Sequence, residues 1–168
     1  MAYNGCVTVF YCRKCGAQLT PQLAALPTVP ELPDESERDR ATGLLASTVP
    51  RGHYAIETEP WGPPYVPHPD VRGTTMPRWG ATIVQGVPLR SAGPQGNAVI
   101  HPEDCPDLLP LPHGENGMGC CGPRGDQGRN RMCPCGSRLA TLLADCWGPH
   151  ELHLDALRVY AYDEEETS

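Results

Sequence analysis

The pattern of hydrophobic and polar positions predicts short strands rather than long helices. Alternating or β-branched runs of about five residues occur at 7–11, 52–58, 81–85, 97–101 and 151–155. After 155 the alternation shifts by one residue before it resumes at 157–160, which a single strand with a bulge explains. Residues 137–147 are ambiguous, because their apolar positions have helical spacing while the segment leaves a Cys-Pro-Cys-Gly turn. We favour a strand there.

Proline dominates the middle of the chain, since 17 of the 20 prolines lie between Pro21 and Pro112. Residues 27–33 are therefore predicted to be extended chain or loop. Residues 61–69 are predicted to be a loop of proline and aromatic residues, either packed over the core, as we favour, or offered to a partner. Residues 34–46 are either a short polar helix capped by Asp34 or a linker.

Composition limits the core that this chain can build. With 20 Pro and 18 Gly in 168 residues and a single Phe, few large apolar side chains are left to bury. Such a chain needs an additional cross-link, and its nine cysteines are the candidates.

The cysteines are interpreted as metal ligands rather than disulfides. The first eleven residues lack the basic region and apolar run of a secretory signal, and no stretch approaches the ~18 apolar residues of a membrane helix. We therefore expect a cytoplasmic protein with reduced thiols, and the odd cysteine count also fits a disulfide framework poorly.

The first cysteine pair has the form of a zinc knuckle, Cys12-Arg-Lys-Cys15-Gly16. Two intervening residues let a tight turn present both sulfurs to one ion, and Gly16 can adopt the positive φ that such a turn requires. A thioredoxin-type redox pair is the rival interpretation. It would require a long helix after the first cysteine, which Gly16 and Pro21 disfavour.

A second cysteine-rich stretch covers residues 118–136 and is followed by Cys146. Its Gly-rich loop, 122–130, needs anchors at both ends, and the flanking cysteine pairs would supply them. The metal-ligand candidates in the whole chain are Cys12, Cys15, Cys120, Cys121, Cys133, Cys135 and Cys146.

Two groupings of these thiols are open. The simplest four-ligand set joins Cys12 and Cys15 to Cys133 and Cys135, although the second pair is separated by one residue where two are usual. A local alternative uses Cys133, Cys135 and Cys146 with one or both of the adjacent pair 120–121. Of that pair we expect one to bind and the other to pack or to serve a second ion. One zinc ion is expected, and a second if Cys105 or a histidine completes its shell.

The other cysteines and histidines are given structural roles. We expect Cys6 and Cys105 to be small buried hydrophobic residues, and His101 to be a hydrogen-bonded loop residue. His150 and His153 are reserve ligands only. Three arginines in or beside the Gly-rich loop either bind an anion or, as we favour, cap carbonyls and balance thiolate charge: Arg124, Arg129 and Arg131.

The cysteine motifs carry a resemblance to known groups. The knuckle at Cys12–Cys15–Gly16 resembles zinc-ribbon proteins. The C-terminal run, with Gly-Cys-Cys-Gly at 119–122, Asn-Arg-x-Cys-x-Cys-Gly at 130–136 and Asp-Cys-Trp at 145–147, resembles an uncharacterised group of small bacterial proteins. The resemblance implies metal binding and a bacterial origin, and adds no reaction.

These observations predict a small mixed, mainly β (α+β) fold with a zinc-ribbon-like core and long Pro/Gly-rich irregular segments. We expect one metal-stabilised domain over residues 1–168. Its parts are an N-terminal knuckle (1–20), a Pro-rich insertion with short strands (21–112), a Cys-rich C-terminal part (113–162) and a solvated acidic tail (163–168).

The predicted function is that of a non-enzymatic zinc-binding protein, an interaction or accessory module whose partner is another protein. No Ser-His-Asp, phosphate-loop or His-Glu-x-x-His motif indicates an enzyme. The alternative is a thiol-redox or metal-transfer enzyme using the pair 120–121 or the pair 133–135. A nucleic-acid-binding zinc ribbon is a minor alternative, because the net charge of −7 opposes binding to phosphates, and no membrane association is expected.

Overall fold

The computed structural model describes residues 6–69, 82–93 and 95–165, and this part of the chain is mainly β, as predicted. Its helical segments are single 3-10 turns at Glu35–Glu37, Pro102–Asp104 and Pro112–Gly114. Within the described ranges, no helix has the length and apolar character needed to span a membrane. The strands, in chain order, are β1 (Cys6–Cys12), β2 (Leu23–Ala25), β3 (His53–Ile56), β4 (Tyr65–Pro67), β5 (Thr82–Val84), β6 (Val87–Ser91), β7 (Ala98–Ile100), β8 (Leu109–Pro110), β9 (Arg131–Met132), β10 (Arg138–Leu143), β11 (Glu151–Leu154) and β12 (Val159–Glu165).

One large mixed sheet contains nine of these strands in the order β12-β1-β2-β3-β7-β11-β10-β9-β8. Strands β2 and β3 are parallel. The other neighbours in the large sheet are antiparallel. A second, three-stranded sheet has the order β4-β6-β5. Strands β2, β3, β7 and β8 come from the Pro-rich range 21–112, so that range builds part of the main sheet.

The large sheet curls strongly. Six interstrand steps separate β1 from β9, which would place them about 29 Å apart in a flat sheet with a spacing of ~4.8 Å. Yet the sulfur of Cys12, at the end of β1, lies 3.8 Å from the sulfur of Cys135, just after β9. The two ends of the sheet therefore meet at the cysteines, along a line that we call the seam.

The main core fills the inside of this curl. It consists of small and aliphatic side chains with one phenylalanine, as the composition predicts: Phe10, Cys12, Leu23, Ala98, Ile100, Cys105, Cys133, Leu139, Ala140, Leu152, Leu154 and Val159. Phe10 packs edge-on against Tyr54, with ring centroids 5.2 Å apart. Because Cys12 and Cys133 belong to this cluster, the seam is continuous with the core.

Two C-terminal predictions are resolved by strand pairing. Residues 138–143 form β10, so the strand interpretation of the ambiguous segment is confirmed. The single bulged strand predicted for 151–160 is wrong, because a turn separates β11 from β12. In that turn Asp155 accepts hydrogen bonds at its backbone oxygen from the amides of Arg158 (2.9 Å) and Val159 (3.1 Å). The phase shift in the sequence marks this turn.

Residues 34–46, expected to be a short helix capped by Asp34 or a linker, contain one 3-10 turn in which Asp34 caps the amide of Ser36 at 2.8 Å. Two other expectations are corrected. The loop at 61–69 contains β4. Residues 163–165 of the acidic tail are not frayed, since they pair with β1 and the hydroxyl of Thr8 donates to the carboxylate of Asp163 at 2.7 Å. The rest of that tail, 166–168, lies outside the described residues.

Candidate metal centres

Four cysteines from the two ends of the sheet converge at the seam. Cys12 is the last residue of β1 and Cys15 lies in the turn that follows it, while Cys133 and Cys135 lie in the turn after β9. Their four sulfur atoms all lie within 4.8 Å of one another, so together they can hold a metal ion. The sulfurs of Cys12 and Cys135 are 3.8 Å apart, and those of Cys15 and Cys133 are 3.7 Å apart. These distances exceed the ~2.05 Å of a disulfide, and all four thiols are free. We call this set the seam cluster.

The two turns have the same construction although their cysteine spacing differs. In the first, the amide of Gly16 donates to the carbonyl of Cys12 at 2.8 Å, and in the second the amide of Gly136 donates to the carbonyl of Cys133 at 2.8 Å. Both glycines have positive φ, +73° and +86°, which L-residues with side chains adopt at a cost. The second turn is one residue shorter and is closed by the same kind of glycine-to-cysteine hydrogen bond.

The environment affects the thiols of the seam cluster differently. Burial raises the pKa of Cys133 to about 12, whereas a hydrogen bond from the backbone of Ser137 lowers the pKa of Cys135 to about 7. The ammonium group of Lys14 donates to the carbonyl of Cys135 at 3.1 Å and so adds a positive charge beside the cluster. A bound divalent ion would override these differences, because a coordinating thiol is deprotonated.

A second cluster brings together Cys120, Cys121 and Cys146, whose sulfurs also lie within 4.8 Å of one another. This set, here called the outer cluster, can likewise hold a metal ion. Cys120 and Cys121 are exposed and Cys146 is half-buried. One of the adjacent cysteines was expected to bind and the other to pack or serve a second ion; in the structure the sulfurs of both lie close to that of Cys146. Hydrogen bonding to Cys121 raises the pKa of Cys146 to about 12.

Glycines on either side of the adjacent cysteines allow the backbone to fold this closely. A Cβ atom on Gly119 would lie 1.6 Å from the carbonyl oxygen of Gly122, and one on Gly122 would lie 2.3 Å from the carbonyl oxygen of Ala144. No side chain fits at either distance. The Gly-Cys-Cys-Gly motif is therefore a close approach of two backbone segments, and it places the cysteine pair beside the end of β10.

The Gly-rich loop is anchored by polar residues as well as by cysteines. The side chain of Asn130 is fully buried and pairs with the backbone of Leu142 like a neighbouring strand, through bonds of 2.9 and 2.7 Å. The hydroxyl of Tyr65 donates to the carbonyl of Asp126 at 2.6 Å. Neither anchor was predicted from the sequence. The only signal was the position of Asn130 at the start of the Asn-Arg motif.

The remaining cysteines and His101 differ in how well they were predicted. Cys105 is buried in the core, as predicted, and burial raises its pKa to about 12. Cys6 is exposed, so the prediction that it is buried is wrong. His101 caps a 3-10 turn by accepting from the amide of Glu103 at 3.1 Å, as expected of a hydrogen-bonded loop residue.

The arginines of the Gly-rich loop interact with oxygen atoms. Arg129 pairs with Asp155 at 2.6 Å, and Arg124 lies 3.4 Å from the carboxylate of Asp126. Arg131 donates to the carbonyl of Asn130 at 2.9 Å, which is the predicted carbonyl-capping role. Arg124 and Arg129 balance the charge of carboxylates, whereas the sequence had predicted that they balance thiolates.

His153, a reserve ligand in the sequence analysis, lies instead in a buried group of charges. It is 3% exposed, with Nε2 at 2.7 Å from Glu151 and Nδ1 at 3.2 Å from Glu57. Burial by itself lowers the pKa of His153, but its interactions with Glu151 and Glu57 outweigh burial and raise the pKa to about 9. His153 is therefore a buried cation between two carboxylates, hydrogen-bonded to Glu151 and within ion-pair distance of Glu57.

Comparison with known protein families, curated proteins and solved structures found no match. The interpretation of the site thus depends on its own chemistry. Two cysteine clusters can each hold a metal ion, one at the seam of the sheet with four thiols and one near the surface with three.

Proposed function

We propose that this chain is a non-enzymatic protein whose curled sheet is locked by a structural zinc ion, and that it acts as an interaction or accessory module. The observation that carries the proposal is the convergence of four thiols from two turns at the seam. Their sulfur separations of 3.7 and 3.8 Å match the ~3.8 Å edge of a tetrahedron with Zn–S bonds of ~2.3 Å.

The chemistry of the ligand set favours a structural ion over a catalytic one. Structural zinc sites have four protein ligands and a closed shell, whereas catalytic sites leave one position for water or substrate. Four thiolates around one divalent ion fill the shell. Two of the cysteines, Cys12 and Cys133, are buried in the core, so they are poorly placed for redox exchange with a partner.

The interaction role is supported by large side chains that the fold leaves in solvent. Strand β12 is at the edge of the main sheet and carries Tyr160 and Tyr162, which are 41% and 59% exposed. Tyr160 stacks on Tyr11 with ring centroids 5.2 Å apart, which fixes one ring for contact. Exposed tyrosines beside an unpaired strand edge favour a protein partner, and the net charge of −7 disfavours nucleic acid.

The structural role is tested by metal content and unfolding. Purified chain is expected to contain zinc, and a strong chelator should lower its melting temperature. The variant Cys133→Ser/Cys135→Ser should lose the ion of the seam cluster, while Cys120→Ser/Cys121→Ser/Cys146→Ser should retain it. A melting temperature that is insensitive to chelator would contradict the proposal.

The interaction role is tested separately. A partner captured by the zinc-loaded chain should be lost with Tyr162→Arg and retained with Tyr11→Phe, which keeps the stacked ring. Equal capture by all three proteins would argue that β12 is not the binding surface.

A further inference from the structure

We infer that the outer cluster is a second metal site of a different kind, an open three-thiolate site for an exchangeable thiophilic d¹⁰ ion such as Zn²⁺ or Cd²⁺. This inference goes beyond the structural role of the seam cluster and does not depend on it. It assigns Cys120, Cys121 and Cys146 as ligands and leaves the fourth coordination position to a small ligand from solution.

The three thiols are already close enough for a single ion. Their sulfurs lie within 4.8 Å of one another, and they come from two segments, the Gly-Cys-Cys-Gly turn and the residue after Asp145. The guanidinium of Arg38 donates to the carbonyl of Gly43 at 2.8 Å and also to the carbonyl of Cys146. These bonds hold the segment that carries Cys146 in place. Thiolate ligands select soft ions over Mg²⁺ or Ca²⁺.

A recess next to the cluster gives room for the fourth ligand. It has a volume of about 390 Å³ and is lined by Met118, Gly119, Cys120, Arg124, Asp145 and Trp147. A volume of this size admits water or a small thiol beside the ion. The seam cluster has four thiols for its ion, whereas the outer cluster has three and an adjacent space.

Asp145 supplies the second observation that points to a ligand. Its side chain is 2% exposed, and one carboxylate oxygen accepts from the amide of Cys121 at 2.9 Å. The other oxygen, Oδ2, is buried and has no hydrogen-bond partner among the residues that the structure describes. A water or thiol on the metal would donate to this oxygen, so Asp145 acts as a positioning residue behind the site.

Exposure makes the site exchangeable. Cys120 and Cys121 are exposed, and the recess is bordered by Met118 and Trp147, which are 65% and 87% exposed. An incoming chelator or thiol can reach the open position and displace the ion stepwise. At the seam cluster, two of the four sulfurs belong to buried cysteines, which slows the same attack.

The test is a titration of the full, reduced, metal-free chain with Cd²⁺, followed by ultraviolet thiolate-to-metal absorption. Two equivalents are expected to bind, and a competing chelator should remove one much faster than the other. Cys120→Ser/Cys121→Ser/Cys146→Ser should lose the fast equivalent and keep the slow one. Cys6→Ser is the matched control, an exposed cysteine outside both clusters, and should behave like the unchanged chain.

Two further readouts separate this site from a merely structural effect. Binding of the fast equivalent should change the fluorescence of Trp147, and the change should be absent in Trp147→Phe. Asp145→Asn should weaken the fast equivalent by about 10–100-fold while the slow one is unchanged.

A fast equivalent that persists in the triple serine variant, or a single bound equivalent that this variant retains, would overturn the inference. Equal release rates for both ions would do the same. The proposed structural role fails in a different experiment, when Cys133→Ser/Cys135→Ser keeps the slow ion, so the two failures are distinguishable.

Discussion

Replacement of Cys133 by serine tests how much the metal contributes to the stability of the curled sheet. The matched control is Cys105→Ser, since both cysteines are buried in the same core cluster and the substitution is chemically identical. Only Cys133 belongs to the seam cluster. Each variant is measured with metal and with excess chelator, in the presence of reductant.

The expected size of the effect follows from the length of chain that a metal ion in the seam cluster would bridge. Cys12 and Cys135 are 123 positions apart. In the chain-entropy estimate, a cross-link closing a loop of this length is worth about 5 kcal/mol. A buried serine hydroxyl costs about 1–3 kcal/mol in either variant. In a protein of this size, 5 kcal/mol corresponds to a shift in melting temperature of about 10–20 °C.

Unfolding in urea, followed by circular dichroism, provides the free energies. Chelator should lower the unfolding free energy of the unchanged chain and of Cys105→Ser by about 5 kcal/mol or more. Cys133→Ser should have lost most of that response, and in chelator the two variants should be about equally stable. If chelator lowers the stability of Cys133→Ser as much as that of Cys105→Ser, the seam cluster is not the source of the metal-dependent stability.

Two more predictions concern the backbone and the buried histidine. Gly122→Ala should destabilise the chain by about 1–3 kcal/mol and weaken the fast Cd²⁺ equivalent, because its Cβ would lie 2.3 Å from the carbonyl of Ala144. Gly148→Ala is the control, because its Cβ would meet no atom of the described residues within 4 Å, and it should change stability by less than about 0.5 kcal/mol. Equal shifts of the denaturant midpoint in the two variants would refute the packing argument. The pKa of His153 is raised to about 9 in the folded chain, above its unfolded value near 6.5, so its stabilisation is fully present below about pH 6.5 and is lost as the pH rises through 9. Between about pH 6.5 and 9, the free energy of unfolding should fall by up to about 1.4 kcal/mol per pH unit. His153→Gln should flatten this pH dependence. If the variant has the same pH dependence as the unchanged chain, His153 is not charged in the folded state.

Local features of this fold were predictable from sequence because they depend on few residues. Strands β1 and β7 follow from short runs of β-branched and apolar side chains. The turn at Cys12–Gly16 was predictable from its C-x-x-C-G form, because the positive φ of Gly16 depends only on the residues of the turn itself. The grouping of Cys12 and Cys15 with Cys133 and Cys135 was one of two open alternatives, and the structure brings this set together.

Long-range features were not predictable, because they arise from strand order and curvature. The local alternative had grouped Cys146 with the pair 120–121 but also with Cys133 and Cys135, and the placement of the last two at the seam instead depends on strand order. Glu151 and His153 alternate with Leu152 and Leu154, so their face of β11 would be solvated in a half-exposed sheet. All four residues are buried, and Glu57, far away in sequence, completes the charged group.

The seam has a consequence for the timing of synthesis and folding. Because Cys12 and Cys135 are 123 positions apart, a ribosome adding about 5–20 residues per second would release the second half of the ligand set roughly 6–25 s after the first. The neighbour of β1 on one side, β12, is made later still. A nascent chain therefore presents the Cys12–Cys15 turn as an incomplete pair until residue 135 has been added. A metal ion held by the proposed four-thiol site would report that translation has passed residue 135, and we expect chains truncated before this point to retain no tightly bound ion there.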